Sequence, residues 1–182
     1  MLKANARLLI GIAFGFAVFW KVISPEFYDG SVMEYKLLYD FRFRNAVAKP
    51  ICGMTEAEKQ HNLNALKAIL STGSDETNVQ LEYPDSISTM ATFLTWWTIA
   101  IEFALAVAFL LPIRWSISVL RNGLLILFAI STYLIVPVLG FGNLFMVMGI
   151  AQCERNEWRT KIAYTLSFVL LVCWYSVASH LT

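Results

Sequence analysis

The chain has 182 residues, of which 58% are hydrophobic, 14% aromatic and 15% charged. Soluble domains usually carry about 25% charged residues, so this composition favours an integral membrane protein and excludes an intrinsically disordered chain. Fourteen Lys and Arg against thirteen Asp and Glu leave a net charge of +1 with no consecutive basic run, so a nucleic-acid partner is not expected.

Four apolar segments come close to the roughly 20 residues that cross a bilayer as a helix. We predict spans at about residues 8–23, 90–113, 117–136 and 162–179. No small-residue cleavage site follows the first segment, which therefore reads as an uncleaved span rather than a signal peptide. The sequence thus predicts an all-α fold, an integral membrane four-helix bundle that forms a single membrane domain over residues 1–182.

A long apolar stretch at residues 122–152 must be broken, because a straight helix of that length would be about 46 Å long. Pro137, Gly140 and Gly142 mark the expected break, since proline removes a backbone donor and glycine tolerates non-helical dihedral angles. We therefore predict that the third span ends near residue 136. Residues 138–152 then form a re-entrant or interfacial segment, with a short fifth span as the alternative.

The outer insert at residues 24–89 lies between the first two spans and holds most of the acidic side chains. Ser31 with Glu34, and Thr55 with Glu58, fit the capping-box pattern that starts a helix. Apolar residues at helical spacing follow each pair, so the insert is predicted to contain two short amphipathic helices. Residues 78–88 are predicted to return to the membrane as an extended segment, since Pro84 opposes a helix.

The distribution of basic residues predicts the orientation of the chain, because Lys and Arg in short loops favour the cytoplasm. Lys3 and Arg7 place the N-terminus in the cytoplasm and the insert outside, in what we expect to be a bacterial inner membrane. With four spans, three later basic residues would lie outside, whereas a fifth span would bring them inside: Arg155, Arg159 and Lys161.

Glu102 is the first candidate for an intramembrane polar site, because it stands near the middle of the second predicted span. A carboxylate at that depth must face protein, water or a partner. Counting from the turn at Arg114 puts Arg121 within an axial offset of about 7.5 Å, so Arg121 is the expected partner. The pair would be either a structural ion pair or a proton-accepting or ligand-holding site.

Lys21, near the outer end of the first span, is the third candidate for this polar site. Its ammonium group either extends to the membrane interface or holds a carbonyl or anionic headgroup within the bundle. Base chemistry would require that burial lower its pKa. Position alone favours extension to the interface.

Two cysteines are candidates for a disulfide, because Cys52 and Cys153 fall on the same side in the four-span topology. The alternative is two unrelated cysteines, and no CxxC motif is present to support a redox pair. Cys173 lies in the fourth span and is expected to be a small buried apolar residue. His61 and His180 offer little for a metal site, so no metal is expected.

Short motifs in the first two spans carry a family resemblance. The first span contains Arg7-Leu8-Leu9-Ile10-Gly11, then Gly15, Lys21 and Pro25. The second contains Ile101-Glu102-Phe103, then Leu110, Leu111 and Arg114. These motifs resemble the DoxX and DoxD-like membrane proteins, and residues 27–30 are similar to small relatives of vitamin K-dependent carboxylase in the same superfamily.

The resemblance covers the spans and not the insert from residue 45 to 88. It implies a four-helix membrane bundle, and in the DoxD branch it implies quinone-linked thiosulfate oxidation. The glycine-rich C-terminal ending of DoxX-like proteins is absent from this chain.

Two functions from different classes follow as expectations. The first is a quinone-associated or redox-linked membrane component without its own metal or flavin, in which Glu102, Lys21 or Arg121 contacts the quinone carbonyls. The second is a non-catalytic subunit or assembly factor whose insert docks another membrane or periplasmic protein. A carboxylase-like enzyme with a lysine base is a third expectation. In each case the lipid bilayer is the first partner.

Overall fold

The computed structural model describes residues 2–72, 81–111, 116–133, 135 and 139–180. All of the regular secondary structure in these residues is helical, as the sequence predicts. The chain divides into two compact units, the bundle unit (Met1–Ile23 with Trp97–Thr182) and the insert unit (Ser24–Trp96). The predicted insert begins at the same residue but was expected to end earlier, at residue 89.

The helices are, in chain order, α1 (Leu2–Ile23), α2 (Pro25–Tyr28), α3 (Ser31–Tyr39), α4 (Phe41–Phe43), a π-helical segment (Arg44–Ala48), α5 (Glu56–Thr72), α6 (Asp85–Leu110), α7 (Ser116–Tyr133), α8 (Leu139–Gln152) and α9 (Trp158–His180). Each of the four predicted spans overlaps one long helix: α1, α6, α7 and α9. Helix α6 begins five residues before the predicted span because Pro84 precedes its first turn and does not interrupt it. The predicted ends at residues 113 and 136 lie outside the described residues.

Two helices in the described part of the chain, α1 and α6, are long and apolar enough to cross a bilayer. Only 22% of the most apolar window of α1 is buried within the protein, against 44% for α6. Helix α7 contains a shorter apolar stretch, Val119–Tyr133. Length and composition therefore support a membrane protein through two of the four predicted spans.

The long apolar stretch is broken between α7 and α8, as the sequence predicts, but Gly140 and Gly142 lie inside the first turns of α8 and not in the break. Helix α7 ends at Tyr133 and α8 begins at Leu139, while Pro137 lies outside the described residues. Gly142 faces the preceding helix, since a Cβ atom there would lie 3.0 Å from Cδ2 of Tyr133. With 14 residues, α8 is about 21 Å long, shorter than the bilayer core.

The core of the bundle unit centres on three phenylalanine rings from α1, α7 and α8. Phe14 stacks on Phe145 at 4.8 Å between centroids and meets the edge of Phe128 at the same distance. Buried apolar side chains from the second half of α6 join this cluster, including Leu105 and Phe109. Helix α8 is thus an integral part of the core rather than a peripheral segment.

Gly11 makes a close contact between α1 and α6. A Cβ atom at Gly11 would lie 2.8 Å from the side chain of Leu110, whereas one at Gly15 would be in ordinary contact with it at 3.9 Å. Small residues allow helices to come close in membranes, where no hydrophobic effect drives association between helices. Gly11 and Leu110 therefore lie level with each other in two antiparallel helices.

In the insert unit, one of the two predicted capping boxes is formed. The Thr55 backbone N–H donates to Glu58 Oε2 at 2.7 Å, and the Glu58 N–H donates to Thr55 Oγ1 at 3.2 Å, at the start of α5. The Ser31–Glu34 box is not formed, because the Ser31 hydroxyl donates to the Glu26 carbonyl instead.

Side chains of the insert unit hold the return segment before α6. Glu34 accepts a hydrogen bond from the Tyr83 hydroxyl, which raises the pKa of Tyr83 to about 12. Asn62 of α5 donates from Nδ2 to the Glu82 carbonyl at 2.8 Å and accepts from the Glu82 N–H at 2.9 Å. Residues 81–84 are non-helical as predicted, but residues 85–88 belong to α6 because Pro84 marks the start of that helix.

We predict that Gly149→Ala destabilises the bundle, because the added methyl would lie within 2.9 Å of three ring atoms of the fully buried Tyr164. Overpacking of this kind costs about 1–3 kcal/mol. Gly123→Ala in α7 is the matched control, since nothing lies within 4 Å of a Cβ there. Thermal unfolding of the detergent-solubilised proteins measures both, and equal midpoints would contradict the packing of α8 on α9.

Candidate functional site

Glu102 of α6 forms an ion pair with Lys21 of α1, with Nζ against Oε1. The side chains are 7% and 19% exposed, so the carboxylate is buried and the ammonium group is partly covered. The second carboxylate oxygen, Oε2, is also buried and has no hydrogen-bond partner in the described residues.

The contact at Gly11 explains why Lys21 reaches Glu102. Leu110 lies level with Gly11, and Glu102 precedes it by eight residues while Lys21 follows Gly11 by ten. In antiparallel helices these offsets correspond to about 12 and 15 Å, a difference that a lysine side chain covers. Lys21 is therefore a member of the buried pair, rather than a side chain that only extends to the interface.

Arg121 does not pair with Glu102, which corrects the expected partner. The Arg121 guanidinium lies 5.5 Å from the ring centroid of Phe109. Phe109 follows Glu102 by seven residues of α6, which is about 10.5 Å of helix rise. The expected offset between Glu102 and Arg121 was based on a turn centred on Arg114. Arg114 lies outside the described residues. The candidate polar site thus contains Lys21 and Glu102, and Arg121 lies at another level of the bundle.

Two arginines lie beside the C-terminal end of α6. Arg7 Nη2 of α1 donates to the Leu111 carbonyl at 2.8 Å, and Arg121 lies over the ring of Phe109. Cations at this end of a helix interact favourably with the unpaired carbonyls and the helix dipole. Arg7 therefore stabilises the end of α6.

A second polar group, the amide–tyrosine cluster of Asn122, Gln152 and Tyr164, links α7, α8 and α9. The Tyr164 hydroxyl donates to Asn122 Oδ1 at 2.9 Å, and Gln152 Nε2 donates to the same oxygen at 2.8 Å. All three side chains are buried, and Gln152 Oε1 has no hydrogen-bond partner in the described residues. The cluster cross-links three helices.

The amide–tyrosine cluster is not among the predicted sites, although the sequence contains a signal for it. Asn122 and Gln152 bound the long apolar stretch, and Tyr164 follows in the next span. Uncharged polar side chains in apolar helices tend to hydrogen-bond across helices. Applied to these residues, that rule would have suggested contacts among α7, α8 and α9.

The candidate disulfide between Cys52 and Cys153 is not formed, since both are free thiols. The Cys153 thiol turns back onto α8 and donates to the Gly149 carbonyl at 3.2 Å. Burial raises the pKa of Cys153 to about 11 and also raises the pKa of Cys52. Both are therefore weakly nucleophilic at neutral pH. Cys173 is exposed on α9, so the expectation that it is buried is wrong.

The described residues contain no group of three or more His, Cys, Asp or Glu side chains arranged to hold a metal ion. His61 is exposed on α5. The polar side chains described in the bundle unit include an ammonium donor, a buried carboxylate, two guanidinium groups and the neutral amide–tyrosine cluster.

We predict that Lys21→Met lowers the free energy of unfolding by about 3 kcal/mol, because it leaves the Glu102 carboxylate buried without its cation. Lys59→Met is the control, since that lysine pairs with the exposed Glu56 on α5 and should change stability little. Both are measured by denaturation of the purified protein in one detergent. A Lys21→Met protein as stable as Lys59→Met would show that the buried pair does not support the fold.

Comparison with known proteins gives no match to a family model, a curated protein or a solved structure. The DoxX-like resemblance therefore rests on the short motifs of the first two predicted spans alone. Of their polar residues, Lys21 and Glu102 meet in the ion pair, and Arg7 lies near the end of the same helix, α6. Function has to be argued from these contacts.

Proposed function

We propose that the chain is a multi-pass integral membrane protein in which α1, α6, α7 and α9 cross the bilayer and α8 is re-entrant. Helix α7, with 18 residues, is about 27 Å long, and α9, with 23 residues, is about 34 Å long. Both lengths are close to the roughly 30 Å of a bilayer core. The N-terminus would be cytoplasmic and the membrane a bacterial inner membrane, as the Lys and Arg bias suggests.

Exposed apolar side chains on the bundle helices support this proposal. A monomeric soluble protein rarely exposes a large contiguous apolar patch, whereas lipid-facing helices are apolar all round. Large hydrophobic side chains at least 47% exposed occur on all five helices, and examples are Leu9, Phe16, Phe103, Val119, Leu120, Phe141, Leu166 and Val169.

Exposed tryptophans suggest the depth of the ion pair. Trp20 is 71% exposed and adjoins Lys21, while Trp97 is 41% exposed and precedes Glu102 by five residues, about 7.5 Å of helix rise. Tryptophan is enriched at the boundary between hydrocarbon and water. The pair would then lie about two turns or less below one membrane interface, and not at the bilayer centre.

We propose further that this protein is a DoxX/DoxD-like, quinone-associated membrane component. The observation that carries this proposal is the buried Lys21–Glu102 pair, with its free carboxylate oxygen in an apolar bundle. An ammonium group donates to a quinone carbonyl, and a carboxylate oxygen accepts from a quinol hydroxyl. A lipid-soluble ring fits an apolar bundle with few polar groups. Any electrons would come from a partner protein that carries a redox cofactor.

The second candidate is a non-catalytic subunit or assembly factor that docks a membrane or periplasmic protein through the insert. The observation that favours it is that Ser24–Trp96 form a compact unit of their own. The Asn62–Glu82 and Tyr83–Glu34 contacts hold this unit together without residues from the bundle. Such an insert would offer a partner a preformed surface.

We predict that a cysteine placed at residue 156 reacts with a membrane-impermeant maleimide on intact cells, because four spans leave residues 153–157 outside. Cys52, Cys153 and Cys173 are replaced by serine in this background, and a cysteine at the exposed Thr55 is the control for the outer side. Reaction at 156 only after permeabilisation, with Thr55→Cys reactive on intact cells, would contradict four spans and support five.

We predict that quinone and quinol co-purify with the protein in mild detergent, and that Glu102→Gln reduces the bound quinol at least about ten-fold. The reason is the loss of a charge-assisted hydrogen bond from the quinol hydroxyl to the carboxylate, worth about 1.5–3 kcal/mol. Mass spectrometry of the lipid extracted under reducing conditions gives the amount. Glu102→Asp keeps the charge and should retain more quinol than Glu102→Gln.

Glu56→Gln is the matched control, because Glu56 also pairs with a lysine but lies on an exposed helix of the insert unit. Its quinone content should equal that of the wild type. Absence of quinone from the wild-type protein, together with no saturable binding of an added short-chain benzoquinone, would contradict the proposal. Co-purification of a stoichiometric protein instead would favour the assembly-factor function.

A further inference from the structure

The basic residues of the insert unit are concentrated in one segment. Residues 36–49 hold four of its six basic residues and one of its ten acidic residues. The four basic residues are Lys36, Arg42, Arg44 and Lys49, and the acidic one is Asp40. The remaining two, Lys59 and Lys67, lie on α5. The insert unit as a whole carries a net negative charge, whereas residues 36–49 carry a net positive charge.

Large apolar side chains are exposed around the same segment. Tyr35 is 57% exposed, Phe41 is 45% exposed and Ile51 is 61% exposed. We call residues 35–51 the basic–aromatic segment. Its members contact one another, since the Tyr35 and Tyr39 rings lie 4.9 Å apart and Lys36 Nζ lies 5.8 Å from the Phe43 ring.

The backbone and the arginines of this segment are also unusual. Arg44–Ala48 form a π-helical turn, a rare conformation that is frequent at functional sites. Arg42 is held by Asp40, with Nη2 2.7 Å from Oδ2. Arg44 Nε, by contrast, is buried without a hydrogen-bond partner in the described residues, and Lys49 is exposed. Asp40 is the one acidic residue in residues 35–51 and it pairs with Arg42, so the segment keeps a net positive charge from Lys36, Arg44 and Lys49.

We propose that the basic–aromatic segment docks onto the headgroups of anionic phospholipids. Lys and Arg attract the negative surface of a membrane, while Tyr, Phe and Ile insert at the boundary between headgroups and acyl chains. The inference rests on the proposed membrane location, because the chain enters the insert unit directly after α1 and leaves it within α6. Both connections would keep the segment close to lipid and raise its effective concentration.

An anionic lipid surface fits these side chains better than an acidic protein does. A protein partner recognised by charge alone would not require exposed aromatic and aliphatic side chains beside the cations. Interfacial membrane segments combine both features in one stretch. Docking would anchor the insert unit to the bilayer in a way that depends on lipid charge.

The test uses the full chain in lipid nanodiscs with a fluorescent, polarity-sensitive label at Ile51→Cys, in a background where the three native cysteines are serine. We expect the label to report an apolar environment as phosphatidylglycerol replaces phosphatidylcholine, and high salt to weaken the response. Arg44→Gln and Lys49→Gln should each lower the docking equilibrium about five-fold. Lys67→Gln, an exposed lysine on α5, is the matched control and should have no effect.

The outcomes separate this inference from the proposed membrane location. Failure of the chain to enter nanodiscs would overturn both. A chain that enters nanodiscs, but whose label ignores phosphatidylglycerol, would overturn the docking proposal alone. A response to added polyglutamate and none to phosphatidylglycerol would also overturn it and assign the segment to an acidic protein.

A second measurement needs no label. Native mass spectrometry counts the phosphatidylglycerol molecules that the wild type and the Arg44→Gln, Lys49→Gln double variant retain. Equal retention would contradict the proposal.

Discussion

The buried ion pair between Lys21 and Glu102 is the interaction on which the account of the bundle unit depends. A carboxylate that is 7% exposed among apolar helices needs a cation beside it, because an unpaired buried charge is costly. The helices can bring the pair together because Gly11 lets α1 approach Leu110 of α6. The positions of Gly11 and Lys21 in the sequence, the register of α1 against α6 and the cost of an unpaired buried charge therefore all favour this ion pair.

The bundle unit contains two polar groups of different composition. One is the Lys21–Glu102 pair between α1 and α6. The other is the amide–tyrosine cluster, which links α7, α8 and α9. The ion pair offers a charged donor and acceptor to a ligand, whereas the amide–tyrosine cluster largely satisfies itself and cross-links helices.

Much of this arrangement could be predicted from sequence, because apolar length and helix-breaking residues act locally. The helical class, the break between α7 and α8 and the Thr55–Glu58 capping box all follow from residues close together in the chain. The choice of Lys21 over Arg121 could not be predicted in this way. The choice depends on which helices are neighbours and on their register. The contact between Gly11 and Leu110 shows both for α1 and α6, whereas counting residues from a turn shows neither.

The most direct test of the central claim is an exchange of the two charges. Lys21→Glu and Glu102→Lys are made singly and together, and the folded yield and thermal midpoint of the four proteins are compared. If the two side chains pair directly, each single reversal places like charges together and abolishes folded protein, while the double exchange restores much of the yield and the midpoint. A double variant no better than either single reversal would contradict the account.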